Sequence, residues 1–147
     1  MKIKDIVEKS LRAVRYILYK DLSIPDQIRV NDVLDEDMVL LFWRMRLEDR
    51  SHSLEVMNRM ELITSENKFL TLALIHDIGK LQSDIGWIGR IFADLGLNKS
   101  FTAQRYKNHE SNGYTIIQNN IASNNIINDY KMSILDERHE YLNRCDY

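Results

Sequence analysis

Apolar residues recur along this chain at spacings of three and four, and strict apolar/polar alternation is hard to find. That is the pattern of helices rather than strands. In the first segment Ile3, Ile6, Val7, Leu11, Val14, Ile17 and Leu18 form a stripe opposite Lys2, Lys4, Lys9 and Arg12. A membrane surface or a domain core could each take such a stripe. Asp5 and Glu8 dilute the basic face, which favours a helix packed on the core. Pro25 sits in a break, and a second helix is expected over 35–47, carrying Met38, Leu41, Phe42 and Met45. A third is expected to begin near Asp49-Arg50-Ser51, with Asp49 or Ser51 as its cap, and to run through His52, Val56, Met60 and Ile63. The strongly apolar run from Phe69 to Asp77 predicts a fourth, with Gly79 ending it in a left-handed conformation. Beyond it the pattern predicts a short helix over 87–95, a longer one over 105–121 and a last one from 125 to the C-terminus. The fold class expected is all-α, a bundle of about six or seven helices.

Composition narrows the class. One proline and five glycines in 147 residues leave few helix breakers, and 44% hydrophobic with 29% charged residues is ordinary for a globular chain. That length suits one domain, with 1–30 as an N-terminal helix and connector packed on a core of 31–147. A net charge of −2 offers no general attraction to nucleic acid or acidic membranes, so no DNA binding is expected. No stretch approaches the roughly 18–20 apolar residues that a membrane span needs. The single cysteine, Cys145, excludes an intramolecular disulfide. With no secretory pattern at the N-terminus, a soluble cytoplasmic protein is the expectation.

The chemistry gathers on four histidines. His52 aligns with Val56 and Ile63, His76 follows Leu72 and Ala73, and His109 precedes Gly113, Ile116 and Ile117; the fourth is His139. An unpaired polar group in a core costs on the order of 1–3 kcal/mol, and a shared metal ion satisfies several imidazoles at once. The sharpest local feature is Ile75-His76-Asp77-Ile78-Gly79-Lys80. Its imidazole and carboxylate can converge on one ion beyond the helix end, and this donor pair suits iron, manganese, cobalt or zinc. A His-Asp pair by itself is a weak signal.

Longer runs carry a resemblance. Asp49-Arg50-Ser51-His52-Ser53-Leu54-Glu55-Val56, followed by Ala73-Leu74-Ile75-His76-Asp77-Ile78-Gly79-Lys80, resembles the opening of the HD-domain superfamily of metal-dependent phosphohydrolases. Tyr106 to Tyr114 looks like that family's His-x-x-x-Gly element, Ile134 to His139 is similar to its helix with a later histidine, and Leu142 to Asp146 resembles its closing segment. The resemblance implies a metal-activated water attacking a phosphomonoester or phosphodiester, such as a nucleotide or similar small phosphate. It implies one or two divalent ions, with His52, His76 and Asp77 as ligands, and Asp77 able to bridge. His109 and His139 would complete a second site, and Asp146 would be the closing carboxylate. Asp77 and Lys80 would be catalytic, Lys80 also contacting a substrate phosphate. Arg90 and Arg105 are further candidates to bind it, since guanidinium matches phosphate geometry. A catalytically impaired HD-fold binding or regulatory module is the alternative.

Two departures bear on this. Arg138-His139 stands where the family has paired histidines. If 135–147 were one unbroken helix, His139 and Asp146 would lie about 10.5 Å apart along its axis, whereas paired ions sit only about 3.5–4 Å apart. Either the helix breaks between them, or Asp146 is not a ligand and Asp136 is the substitute. Lys80-Leu81 and Gly113-Tyr114-Thr115 support neither the alarmone-hydrolase nor the HD-GYP subclass.

Overall fold

A computed structural model of the chain describes Ile3, Leu11 and residues 20–82 and 108–147. Among the described residues there are seven α-helices and no strand, in agreement with the all-α expectation. Helix α1, Ile24–Val33, is capped by the Ser23 hydroxyl, which accepts the Asp26 N–H at 3.3 Å. Pro25 therefore lies in the first turn of a helix rather than in a break. Its missing N–H would have had no intrahelical partner there. Helix α2, Glu36–Arg44, buries Met38, Leu41 and Phe42. Helix α3, Leu47–Glu61, and helix α4, Asn67–Ile75, pack against each other at the centre of the core. The side chains of Met57, Met60, Leu72, Leu74 and Ile75 are fully buried there, each contributing about 1.5–3 kcal/mol.

A tight 3-10 turn, Ile78–Gln82, follows α4 and lies across α5, His109–Asn120. Helix α6, Asn124–Tyr130, runs on into a wide π turn, Lys131–Asp136, and α7, Glu140–Cys145, packs on α3. Three expectations change here. Helix α3 starts at Leu47 with Arg46 as N-cap, so Asp49 is a buried first-turn residue and not a cap. The C-terminal helix breaks at Glu137, whose backbone is extended (φ −147°, ψ 119°). Gly79 is not in a left-handed conformation. It sits inside the 3-10 turn against the backbone of α5, where an added Cβ would lie 1.5 Å from the His109 carbonyl oxygen. Gly113 faces it from α5, with a Cβ site 3.2 Å from the Gly79 nitrogen. The two glycines let two backbones touch.

Ile3 and Leu11 are helical but 81% and 55% exposed, so these two members of the N-terminal stripe do not face the core. The rest of that stripe, the expected helix over 87–95, and Arg90 and Arg105 lie outside the described residues. Among the described residues no helix is long and apolar enough to cross a membrane.

Candidate metal centre

His52 is supplied by the second turn of α3 and His76 by the C-cap of α4. Asp77 precedes the 3-10 turn, and His109 opens α5. The Gly79–Gly113 contact draws α5 onto that turn, and His109 Nε2 comes to rest 3.3 Å from Asp77 Oδ1. Asp146 is the C-cap of α7. Its Oδ1 lies 2.7 Å from His52 Nε2 and 3.7 Å from His76 Nε2. His52, His76 and Asp146 each offer a ligand atom, all within 4.8 Å of one another. Of the two carboxylates weighed from sequence, Asp146 is the one that lies beside the histidines. Asp136, the substitute considered from sequence, is exposed and pairs with Lys131 at 2.9 Å.

His139 is placed elsewhere. It is the N-cap of α7, where its Nδ1 accepts the Tyr141 N–H at 3.1 Å, and its ring packs against Phe69 at 4.6 Å. The break at Glu137 explains this: α7 restarts at His139, so that residue and Asp146 occupy opposite ends of one short helix. Only the Asp146 end reaches the cluster, contrary to the expectation that His139 would complete a second ion site.

Lys80 also differs from expectation. Its ammonium is buried, 2.6 Å from Asp77 Oδ2 and 3.9 Å from Asp49 Oδ1. It therefore serves the carboxylate of the His-Asp pair directly. Arg59 and Glu110 escaped the sequence reading of the site, Asp49 entered it only as a candidate cap, and Arg138 only as a departure from the paired histidines. Arg59 lies two turns after His52 on α3, a spacing that could have flagged it. The link between Arg138 and Glu110 joins distant segments, and nothing local announces it.

The electrostatics suit a cation. Burial opposes ionisation of Asp77, but Lys80, His76 and His109 outweigh it and hold the carboxyl well below the usual range. Burial likewise opposes ionisation of Asp146, and His52 and His76 reverse it. Burial disfavours charge on His76, yet the Asp77 and Asp146 carboxylates raise its pKa overall. The most telling atom is His76 Nε2. His76 Nδ1–H donates to the Ala73 carbonyl at 2.7 Å, so that in the neutral imidazole the lone pair is on Nε2. Nε2 is buried and has no hydrogen-bond partner, although Asp77 Oδ2 stands only 3.5 Å away. A buried polar atom without a partner, ringed by ionised carboxylates and a second imidazole, fits a divalent ion well.

The family model described as HD domain matches residues 50–140, more than half of the chain. The chain belongs to the HD-domain family. The family is one of metal-dependent phosphohydrolases, and His76-Asp77 lies within the matched residues. Asp146 lies beyond the matched residues, so its place in this HD domain rests on geometry. No curated protein and no solved structure matches the chain.

Proposed function

We propose that this HD domain hydrolyses a phosphomonoester or phosphodiester, a nucleotide or similar small phosphate, with one divalent ion held by His52, His76, Asp77 and Asp146. The observation that carries the reading is the buried, partnerless His76 Nε2 beside two carboxylates and the His52 ring. A set of two imidazoles and two carboxylates suits iron, manganese, cobalt or zinc. When bound, such an ion supplies the Lewis acidity that activates water and offsets charge on phosphoryl oxygens.

The chain's own residues do the rest. The Ala73 carbonyl fixes the His76 tautomer and aims its Nε2 at the site. Lys80 keeps Asp77 ionised and oriented. His109, at the other oxygen of Asp77, is placed to hold or accept a proton there. His139 caps a helix, and the Lys80 ammonium already sits on Asp77; both favour one ion over two. Arg90 and Arg105 remain the proposed phosphate-binding arginines. The single cysteine supports a cytoplasmic setting.

The test combines metal analysis of the purified protein with hydrolysis of p-nitrophenyl phosphate, bis(p-nitrophenyl) phosphate and a nucleotide panel in added manganese. Turnover and metal should be lost together in His76→Ala and in Asp77→Ala; retention of both in either variant refutes the assignment. One observation favours a second reading, a binding module without turnover: Lys80 is engaged with Asp77 and Asp49 rather than directed at a substrate. That module would bind metal and nucleotide stoichiometrically and turn nothing over.

A further inference from the structure

We propose that Arg138 is a positioning residue that fixes the Asp146 carboxylate for metal binding. The inference rests on the reading of Asp146 as a ligand. The two oxygens of Asp146 have separate partners. Oδ1 faces the histidines, 2.7 Å from His52 Nε2, while Oδ2 accepts a hydrogen bond from Arg138 Nη2. The other end of the guanidinium, Nη1, donates to Glu110 Oε1 at 2.9 Å. Arg138 thus ties the first turn of α5, next to His109, to the C-cap of α7.

Asp146 needs such a tie. It follows the last turn of a six-residue helix and has non-helical backbone (φ −86°, ψ 87°), so its own element does little to aim the side chain. Arg59 secures the backbone on both sides of it. Its Nη1 donates to the Cys145 carbonyl at 3.0 Å and to the Tyr147 carbonyl at 2.8 Å. Rotation of the carboxylate about its own bonds is left, and Arg138 limits that by occupying Oδ2. An exposed ion pair contributes little. Arg138 is different because it is partly buried and its planar fork spans two carboxylates from two elements. A ligand whose non-coordinating oxygen is hydrogen-bonded is held in place, and losing such a partner typically costs about 10–100-fold in metal affinity.

The experiment measures binding of manganese(II) alone to the full chain, beside the melting temperature without metal. Arg138→Met should weaken manganese binding by about 10–100-fold, with one ion still bound at saturation. Arg138→Lys, whose ammonium reaches one carboxylate but does not bridge two, should fall between. Glu110→Gln should weaken binding a few-fold and keeps the inference testable if Arg138→Met does not fold. In an Asp146→Asn background, Arg138→Met should cost no further affinity, because its effect runs through that carboxylate. Wild-type affinity in Arg138→Met, or in Glu110→Gln where Arg138→Met does not fold, overturns the inference, and so does an additive loss in the double variant. If Asp146→Asn alone keeps wild-type affinity, the ligand assignment itself fails; if only the Arg138 variants do, the positioning role alone fails.

Discussion

Asp146 Oδ1 and His52 Nε2 lie 2.7 Å apart although 94 positions separate them in the chain. This contact joins the end of α7 to α3 across the proposed metal site. Asp146→Ala should abolish tight metal binding and leave the helical content intact, since Asp146 lies beyond the last turn of α7 and the core residues Leu142 and Cys145 stay in place. Metal titration beside circular dichroism checks both halves of this.

His139 offers a contrast. As an N-cap whose Nδ1 accepts the Tyr141 N–H, it should be replaceable by Asn, a good cap, with metal stoichiometry unchanged. His139→Ala should cost about 0.5–2 kcal/mol of stability, plus part of the packing against Phe69. A loss of bound metal in His139→Asn would return this residue to the list of ligands.

Metal should also act as a staple. An ion that binds only the folded chain stabilises it by about 2.7 kcal/mol at a hundred times its dissociation constant. Chelation should lower the melting temperature of the wild type and leave His76→Ala, which has already lost its site, unaffected. Thermal denaturation with and without chelator shows whether the two behave differently.

Cys145 can report on the same closure. Its side chain is buried, and that burial pushes the thiol pKa up, so native-state alkylation should be slow. Because the neighbouring Asp146 joins α7 to α3, chelation or Asp146→Asn should speed labelling several-fold at unchanged pH. Equal labelling rates in all three states would show that α7 stays docked without the ion.

Much of this was legible in the sequence. The fold class followed from spacing, because Met38, Leu41 and Phe42, or Leu72 and Ile75, can be buried together only on a helix. That His52, His76 and Asp77 come together was legible because they belong to contiguous runs at helix positions facing one another. The C-terminal part was not. Whether His139 or Asp146 reaches the cluster depends on a helix break at Glu137, and no proline or glycine marks it. Asp49 was read as a cap because Asp favours that position. It is instead buried within 3.9 Å of the ammonium of Lys80, 31 positions later in the chain, which helical spacing alone does not place. Gly79 was read as a stop signal, but the requirement there is room for the neighbouring backbone, and that neighbour is not visible in a single run of sequence.

The glycine pair makes a further prediction. Gly79→Ala brings a methyl group onto the His109 carbonyl, which cannot move without shifting α5, and should cost about 3 kcal/mol or more. Gly113→Ala meets the Tyr130 hydroxyl at 2.2 Å instead, a side-chain atom that Tyr130→Phe removes. Chemical denaturation should show Gly113→Ala partly rescued by Tyr130→Phe and Gly79→Ala not rescued at all.

That contact of two bare backbones has a bearing on how the sequence can drift. The position of His109 relative to Asp77 is set by main chain against main chain, so it depends little on which side chains decorate the far side of α5. Ser111, Thr115 and Gln118, all exposed, should accept almost any substitution, while two residues with no side chain admit none. In this domain the least elaborate positions carry the least freedom to change, and a saturation-mutagenesis map of α5 should show Gly113 as intolerant as the buried Ile116 and Ile117, with Ser111, Thr115 and Gln118 permissive.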